Sequence, residues 1–201
     1  MDDTYLTIER NGRAEITIKH SRFIGEALPV ESEEAAKTEI ELIRKREYNA
    51  THYCSAHRIG PDGETFRYSD DGEPSGTAGP PIFRQIEGRD LTNTLVVVTR
   101  YYGGTNLGTG GFIRAYGEAA SKALDDASVV ERILRERVSL RFNYDDTSPA
   151  MHTINQFDAP ILETNYSETT EIIVAVRRSQ TDALAAAFTA ALSGRGTVEI
   201  A

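Results

Sequence analysis

Two loops carry most of the residue types in this chain that are equipped for chemistry. The first is RYYGGTNLGTGGFIRAY, Arg100 to Tyr116, where Gly103, Gly104, Gly108, Gly110 and Gly111 stand between a run of β-formers and a helical pattern. Glycine costs ordering entropy, so such a cluster signals backbone that must come close to something. A strand–glycine–helix junction turns bare backbone N–H groups, and the positive end of a helix dipole, toward an anion. Arg100 and Arg114 would add charge, and Thr105, Asn106 and Thr109 would donate hydrogen bonds; Tyr101 and Tyr102 flank the loop. Known nucleotide fingerprints fail here. Gly103 and Gly108 have P-loop spacing, but Thr109-Gly110 stands where Lys-Ser/Thr belongs, and Ile113 stands where a dinucleotide pattern needs Gly. The other reading of the same residues is a tight, close-packed connection.

The second loop is SDDGEPSGTAGPP. Asp70, Asp71 and Glu73 crowd three acids into four positions, a hard oxygen set suited to Mg²⁺ or to pairing with an arginine such as Arg67 or Arg100. An ordinary solvent loop has the same composition. Ser75, Gly76 and Thr77 offer a second stretch of bare backbone and hydroxyl at a helix start, so both loops are expected to line one groove. A third candidate is Cys54. Alternation in the strand THYCSAHRIG puts His52, Cys54 and Arg58 on one face, a Cys–His pair with an arginine to lower the thiol pKa. Against it, a lone mid-strand cysteine is typically buried, and a single Cys supports no Cys-rich metal site. His20 and His152 lack neighbours at ligand spacing. Phe66, Tyr68, Tyr53, Tyr101 and Tyr102 lie near arginines, which makes either a base-stacking surface or plain core.

The elements that must position these residues follow from periodicity. TYLTIE, AEITIK after the turn Asn11-Gly12, and RFIGEALPV alternate as strands; ESEEAAKTEIELIRKREY is a helix with acids early and bases late. THYCSAHRIG and TFRYS are strands across the turn Pro61-Asp62-Gly63, PIFRQIEG is a short helix, and NTLVVVTRYY is a strand buried on both faces. GFIRAYGEAASKALDDA follows the glycine loop as a helix. Beyond Ser128 the order becomes strand RILRERVSLRFNY, helix TSPAMHTINQF with its N-cap at Thr147 or Ser148, strands ILETNYS and TTEIIVAVRRS, helix TDALAAAFTAALSG and strand GTVEIA. β-α-β-β-α-β is the ferredoxin-like order. The expectation is two α+β domains, 1–128 and 129–201.

Bulk properties limit the function classes. The 201 residues carry a net charge of −9, which speaks against a general nucleic-acid binder and requires any phosphate site to be local. Only 4 of the 22 basic residues are lysine, a bias shared by salt-adapted proteins and by GC-rich genomes. No run of eighteen apolar residues exists, the start MDDTYLTIER is acidic and amphipathic rather than a signal peptide, and one cysteine fits a reducing compartment. A cytoplasmic protein with no membrane partner is expected.

The series SRFIGEALPV, ATHYCSAHRIG, RYSDDGEPSGTAGPPI and VVVTRYYGGTNLGTGGFIRAYGEAA, over about residues 21 to 120, resembles the Impact/YigZ family. The remainder resembles the smaller second domain of the prokaryotic two-domain members. The resemblance implies an N-terminal domain like the second domain of a small-subunit ribosomal protein, with a left-handed β-α-β crossover. It implies a C-terminal domain like the last domain of elongation factor G. The resemblance implies that eukaryotic members regulate translation by competing for the activator of a stress kinase; those members also carry an N-terminal partner-binding domain, which is not expected here. Three functions are therefore open. The preferred one is a translation-linked binding protein that contacts RNA or a ribosome-associated partner through the glycine-loop groove without a cofactor. The others are a Mg²⁺-dependent enzyme on a nucleotide or other phosphate-bearing substrate, and a purely protein-docking module.

Overall fold

The computed structural model describes residues 3–200; Met1, Asp2 and Ala201, read above as the acidic start and the end of the last strand, lie outside the described residues. The described residues divide into two compact units, one running from Tyr5 to Arg132 and the other built from residues 133–200 together with Asp3 and Thr4.

The N-terminal unit is centred on a five-stranded sheet. Its strands are β2 (Gly12–Ile18), β3 (Ser21–Pro29), β4 (His52–Ile59), β5 (Thr65–Ser69) and β6 (Thr94–Tyr101), in the order β2-β3-β6-β4-β5. Every neighbouring pair is antiparallel. Helices α2 (Gly79–Glu87) and α3 (Gly108–Asp126) cover one face, packing Ile82, Ile86, Ala115 and Tyr116 against Phe23, Ala56 and Val98. Helix α1 (Glu33–Arg46) covers the other, packing Ala36 and Ile43 against Leu28, Leu95 and Val97. Alternation along β6 thus feeds two cores, which is why VVV is buried throughout. The Ser32 hydroxyl caps α1, with Glu33 and Glu34 in its first turn and Arg44, Lys45 and Arg46 in its last, as the helix dipole favours.

The crossovers β3–α1–β4 and β5–α2–β6 each join two parallel strands that flank a common antiparallel neighbour. They run in opposite chain directions and opposite senses across the sheet, with their helices on opposite faces. The two therefore have opposite hands, and one of them is left-handed, an arrangement that chain twist normally disfavours.

The first strand finds its partner far along the chain. β1 (Thr4–Arg10) does not join β2 across Asn11-Gly12 but pairs with β7 (Ser128–Ile133) in a separate two-stranded sheet. The strand read as RILRERVSLRFNY is accordingly two, β7 and β8 (Arg135–Phe142), parted at Leu134, whose N–H donates to the Asp3 carbonyl. Alternation identifies a strand but not its partner.

The C-terminal unit contains β8, α4 (Thr147–Gln156), β9 (Ile161–Tyr166), β10 (Thr170–Arg177), α5 (Thr181–Ala191) and β11 (Thr197–Ile200). The antiparallel order β11-β8-β10-β9 is the ferredoxin-like sheet. Val138, Leu140, Val174, Val176, Ile154 and Phe188 form its core. Thr147 is the first residue of α4 rather than its cap; Asp146 precedes it, and the Asp146 carboxylate accepts from Arg195 instead of capping the helix. Among the described residues no helix is long and apolar enough to cross a membrane.

Candidate functional site

The two loops meet at one end of the N-terminal sheet, and a buried ion pair joins them. Cross-strand register sets His52 of β4 opposite Arg100 of β6. Arg100, expected to face a phosphate, is instead only 3% exposed, and its Nη1 donates to Glu73 Oε1 at 2.5 Å. Glu73 is itself buried and takes a second hydrogen bond from the Tyr116 hydroxyl of α3 at 2.7 Å. Arg100 Nη2 lies 3.4 Å from Ser21 Oγ, and the guanidinium sits over the rings of Phe23, Tyr102 and Phe112 at 4.8–5.5 Å from their centroids. Charge balance explains the burial. A buried guanidinium needs a carboxylate more than it needs solvent.

The acidic loop is likewise consumed from within. Asp70 accepts from the backbone N–H groups of Gly76, Ala78 and Gly79 at 2.8–2.9 Å, fixing the entry into α2. Burial opposes its ionisation, but these three donors outweigh burial and hold its pKa below the usual carboxylate value. Asp71 accepts from the Tyr53 N–H at 2.7 Å and from Arg44 at 2.5 Å. The three carboxylates thus point at three different partners and do not converge as the Mg²⁺ set expected of them. Among the described residues no group of three or more His, Cys, Asp and Glu stands close enough to hold a metal ion. Ser75 is exposed, Gly76 adopts φ +77° to turn the loop, and buried Thr77 spends its hydroxyl on the Pro74 carbonyl.

His52 and Cys54 do share a face but not a proton. His52 Nδ1 lies 2.8 Å from the Asp71 carbonyl, while the Cys54 thiol donates to the neighbouring Asp70 carbonyl at 3.0 Å. Cys54 is fully buried, and burial pushes its pKa up; Tyr116 opposes the rise, and Glu73, Asp71 and Asp70 add to it. The reactive pair is replaced by two anchors for the acidic loop. Arg58, expected to activate the thiol, turns to the Gly63 carbonyl and Asp90.

The glycine loop divides by function. A Cβ on Gly103 would stand 2.1 Å from the His20 backbone, so this glycine exists for close approach to the β2–β3 turn. Tyr101 faces away, donating its hydroxyl to Glu47 and lying under Arg22. Gly104 and Gly108 adopt φ +81° and +68° with open space around them. Helix α3 begins at Gly108 rather than Gly111, which brings Gly108, Thr109, Gly110 and Gly111 into its first turn. That turn has no acidic residue and no side-chain N-cap. Asn106 Oδ1 accepts from Gly108 N–H, leaving those of Thr109 and Gly110 exposed at the helix end. Arg114, one turn on, is exposed with no ion pair among the described residues, and its Nη1 reaches back to within 3.7 Å of a Cβ position on Gly110. Thr105, Asn106 and Thr109 are exposed beside it.

Between the loops lies a cleft of about 380 Å³ lined by His52, Pro74, Arg100, Tyr102, Asn106 and Phe112, among others. Tyr102 is 54% exposed there, and Arg100 Nε is buried without a hydrogen-bond partner. Sequence reasoning overlooked Ser21, which binds Arg100 Nη2 and the Gly103 N–H and so ties the β2–β3 turn to the site. It also overlooked Tyr116, whose position in GFIRAY reads as ordinary helix core.

Comparison with known proteins agrees with this layout. Residues 19–124 match the model of the Impact N-terminal domain, and residues 140–195 match a domain of unknown function, DUF1949. The chain is 37% identical over 98% of its length to the IMPACT family member YvyE of Bacillus subtilis, covering 90% of that protein. It is 34% identical over 91% of its length to the IMPACT family member YigZ of Escherichia coli, again covering 90% of it. The crystal structure of a hypothetical protein superposes with a TM-score of 0.74 at 30% identity, covering 98% of this chain and 97% of that one. Two domains matched in order, with relatives matched over most of their length, place this chain in the IMPACT family.

Proposed function

We propose that this protein is a translation-linked, cytoplasmic binding protein that takes single-stranded RNA, free or on a ribosome, at the end of its N-terminal sheet. A phosphate sits on the open N–H groups of Thr109 and Gly110 and is paired by Arg114. The attached base enters the neighbouring cleft, stacks on Tyr102 and meets the Asn106 amide. The observation that carries this reading is the acid-free first turn of α3, where Asn106 engages only the Gly108 N–H and the Arg114 guanidinium reaches back toward Gly110. Helix ends of this kind favour anions, and an exposed aromatic ring beside one suits a base. Arg100 is the anchor beneath the site rather than a phosphate ligand, since Glu73 already balances its charge. The site so read needs no metal or cofactor. Its one exposed base, Arg114, stands on an acidic molecule, so any phosphate contact here is local.

Anisotropy of a labelled oligoribonucleotide over a range of salt concentrations tests the proposal. Arg114→Ala is expected to reduce the salt slope by about 0.7, the value of one single-strand phosphate contact. Tyr102→Ala is expected to cost about 1–3 kcal/mol, the worth of one stacked base. Absence of binding at low salt, or binding indifferent to both substitutions, overturns it.

A further inference from the structure

The opposite face of the N-terminal sheet holds a second cavity, of about 370 Å³, between α1 and the strands β4 and β5. Alternation carries Ser55 and His57 to this face, away from Cys54 and Ala56. Register sets Arg67 beside His57. Helix α1 contributes Glu33, Lys37 and Ile40, spaced one turn apart.

His57 distinguishes this cavity from a gap between elements. The residue is 7% exposed, and its Nε2 is buried with no hydrogen-bond partner. The nearest acid, Glu33 Oε1, stands at 3.7 Å, beyond hydrogen-bond reach. Buried polar atoms are nearly always satisfied, so an unpartnered ring nitrogen lining a cavity is available to a small molecule that enters it. Burial lowers the His57 pKa, with Glu33 opposing, so near neutral pH the ring offers one lone pair and one N–H rather than a charge.

The surrounding charges then select the ligand. Two carboxylates, Glu33 and Glu34, are matched by two bases, Lys37 and Arg67. A simple anion would meet the carboxylates and a simple cation the bases. Arg67 is largely exposed and only loosely held, 4.0 Å from Glu33, and the Ser55 hydroxyl makes no hydrogen bond among the described residues. We propose that this cavity binds a small zwitterion carrying both an ammonium and a carboxylate group, a free α-amino acid or dipeptide. The ammonium is received by Glu33 and the His57 lone pair, the carboxylate by Arg67 and the Ser55 hydroxyl, and the side chain rests on Ile40. The volume lies in the range of small-molecule sites.

The test is a thermal-shift screen of the full chain with the free amino acids and a set of dipeptides, followed by calorimetry on any that act. Controls are N-acetylated and amidated forms of the same compounds, acetate, methylamine and zinc chloride. A zwitterion is expected to raise the melting temperature by mass action and to bind one per chain. Acetylation or amidation is expected to weaken it at least about tenfold, or 1.4 kcal/mol. Arg67→Met and Glu33→Gln alter exposed side chains and leave circular dichroism unchanged, and each is expected to weaken binding to a similar degree. No stabilisation by any zwitterion overturns the proposal. So does binding that survives both substitutions, or binding matched by acetate, methylamine or zinc alone.

Discussion

The ion pair beneath the cleft supports a quantitative prediction. Glu73→Gln removes one charge and almost no volume, leaving Arg100 buried with its guanidinium uncompensated. Two unit charges about 4 Å apart at an effective dielectric of about 20 attract by about 4 kcal/mol. Breaking a buried pair by removing one partner costs about 3–5 kcal/mol in measured cases. With a urea dependence of about 2 kcal/mol/M, the midpoint of the N-terminal unit should fall by about 2 M. Burial also shields the pair, so 0.5 M added salt, with a Debye length of about 4 Å, should scarcely change that loss. Replacing the whole network behaves differently. Glu73→Leu/Arg100→Met with Tyr116→Phe removes both charges and the hydroxyl that would otherwise be stranded. It should unfold within about 2 kcal/mol of the natural protein, because apolar groups of similar volume often replace a buried pair at little cost. Urea unfolding followed by circular dichroism, with hydrogen exchange of the β4 and β6 amides to assign the transition, measures both. A Glu73→Gln loss below about 1 kcal/mol, or a triple variant as unstable as the single changes summed, would refute a pair that holds the loops together.

Other parts of the site make their own predictions. Gly103→Ala should destabilise by about 1–3 kcal/mol, since its Cβ meets the His20 backbone at 2.1 Å; Gly104→Ala, strained only by its φ of +81°, should cost about 1 kcal/mol, and urea midpoints in the reverse order would contradict the packing. Asp70→Ala should cost about 2 kcal/mol by opening three backbone donors at the start of α2. Because the folded pKa of Asp70 is depressed, its contribution is complete above the unfolded value near 3.8 and is lost as pH falls through the folded value. Asp70→Asn should flatten acid unfolding below that point, and an unchanged acid limb would argue against the three backbone bonds to its carboxylate. The Cys54 thiol, buried and raised in pKa, should resist thiol reagents at pH 8 until the chain is unfolded; rapid native labelling would show an accessible thiolate.

Much of the framework was legible in the chain itself. The doubly buried β6 announced itself through LVVV, α1 through the order of its charges, and the ferredoxin-like unit through the sequence of its elements. Strand partners were not legible. β1 alternates like any half-buried strand, and nothing local says that its partner is β7, more than a hundred residues away. The same limit explains Arg100. Arginine is a surface residue by default, and its burial follows from a carboxylate 27 positions earlier, in the loop after β5, which folds back onto the end of β6. The acids Asp70, Asp71 and Glu73 looked like a metal set because adjacency in sequence hides direction; each turns to a different element. In the sequence Gly103, Gly104 and Gly108 read as one cluster, while the structure separates close approach from left-handed turning.

The central claim is that the first turn of α3 and the cleft beside it receive a nucleotide, and amide chemical shifts test it most directly. A labelled sample titrated with a short single-stranded oligoribonucleotide should show the amides of Thr105, Thr109, Gly110 and Gly111 moving together, with the Tyr102 ring, at a common affinity. Arg114→Ala should shift that affinity without altering the spectrum elsewhere. Shifts confined to the C-terminal unit or to the face of α1, or none at the lowest salt, would contradict it.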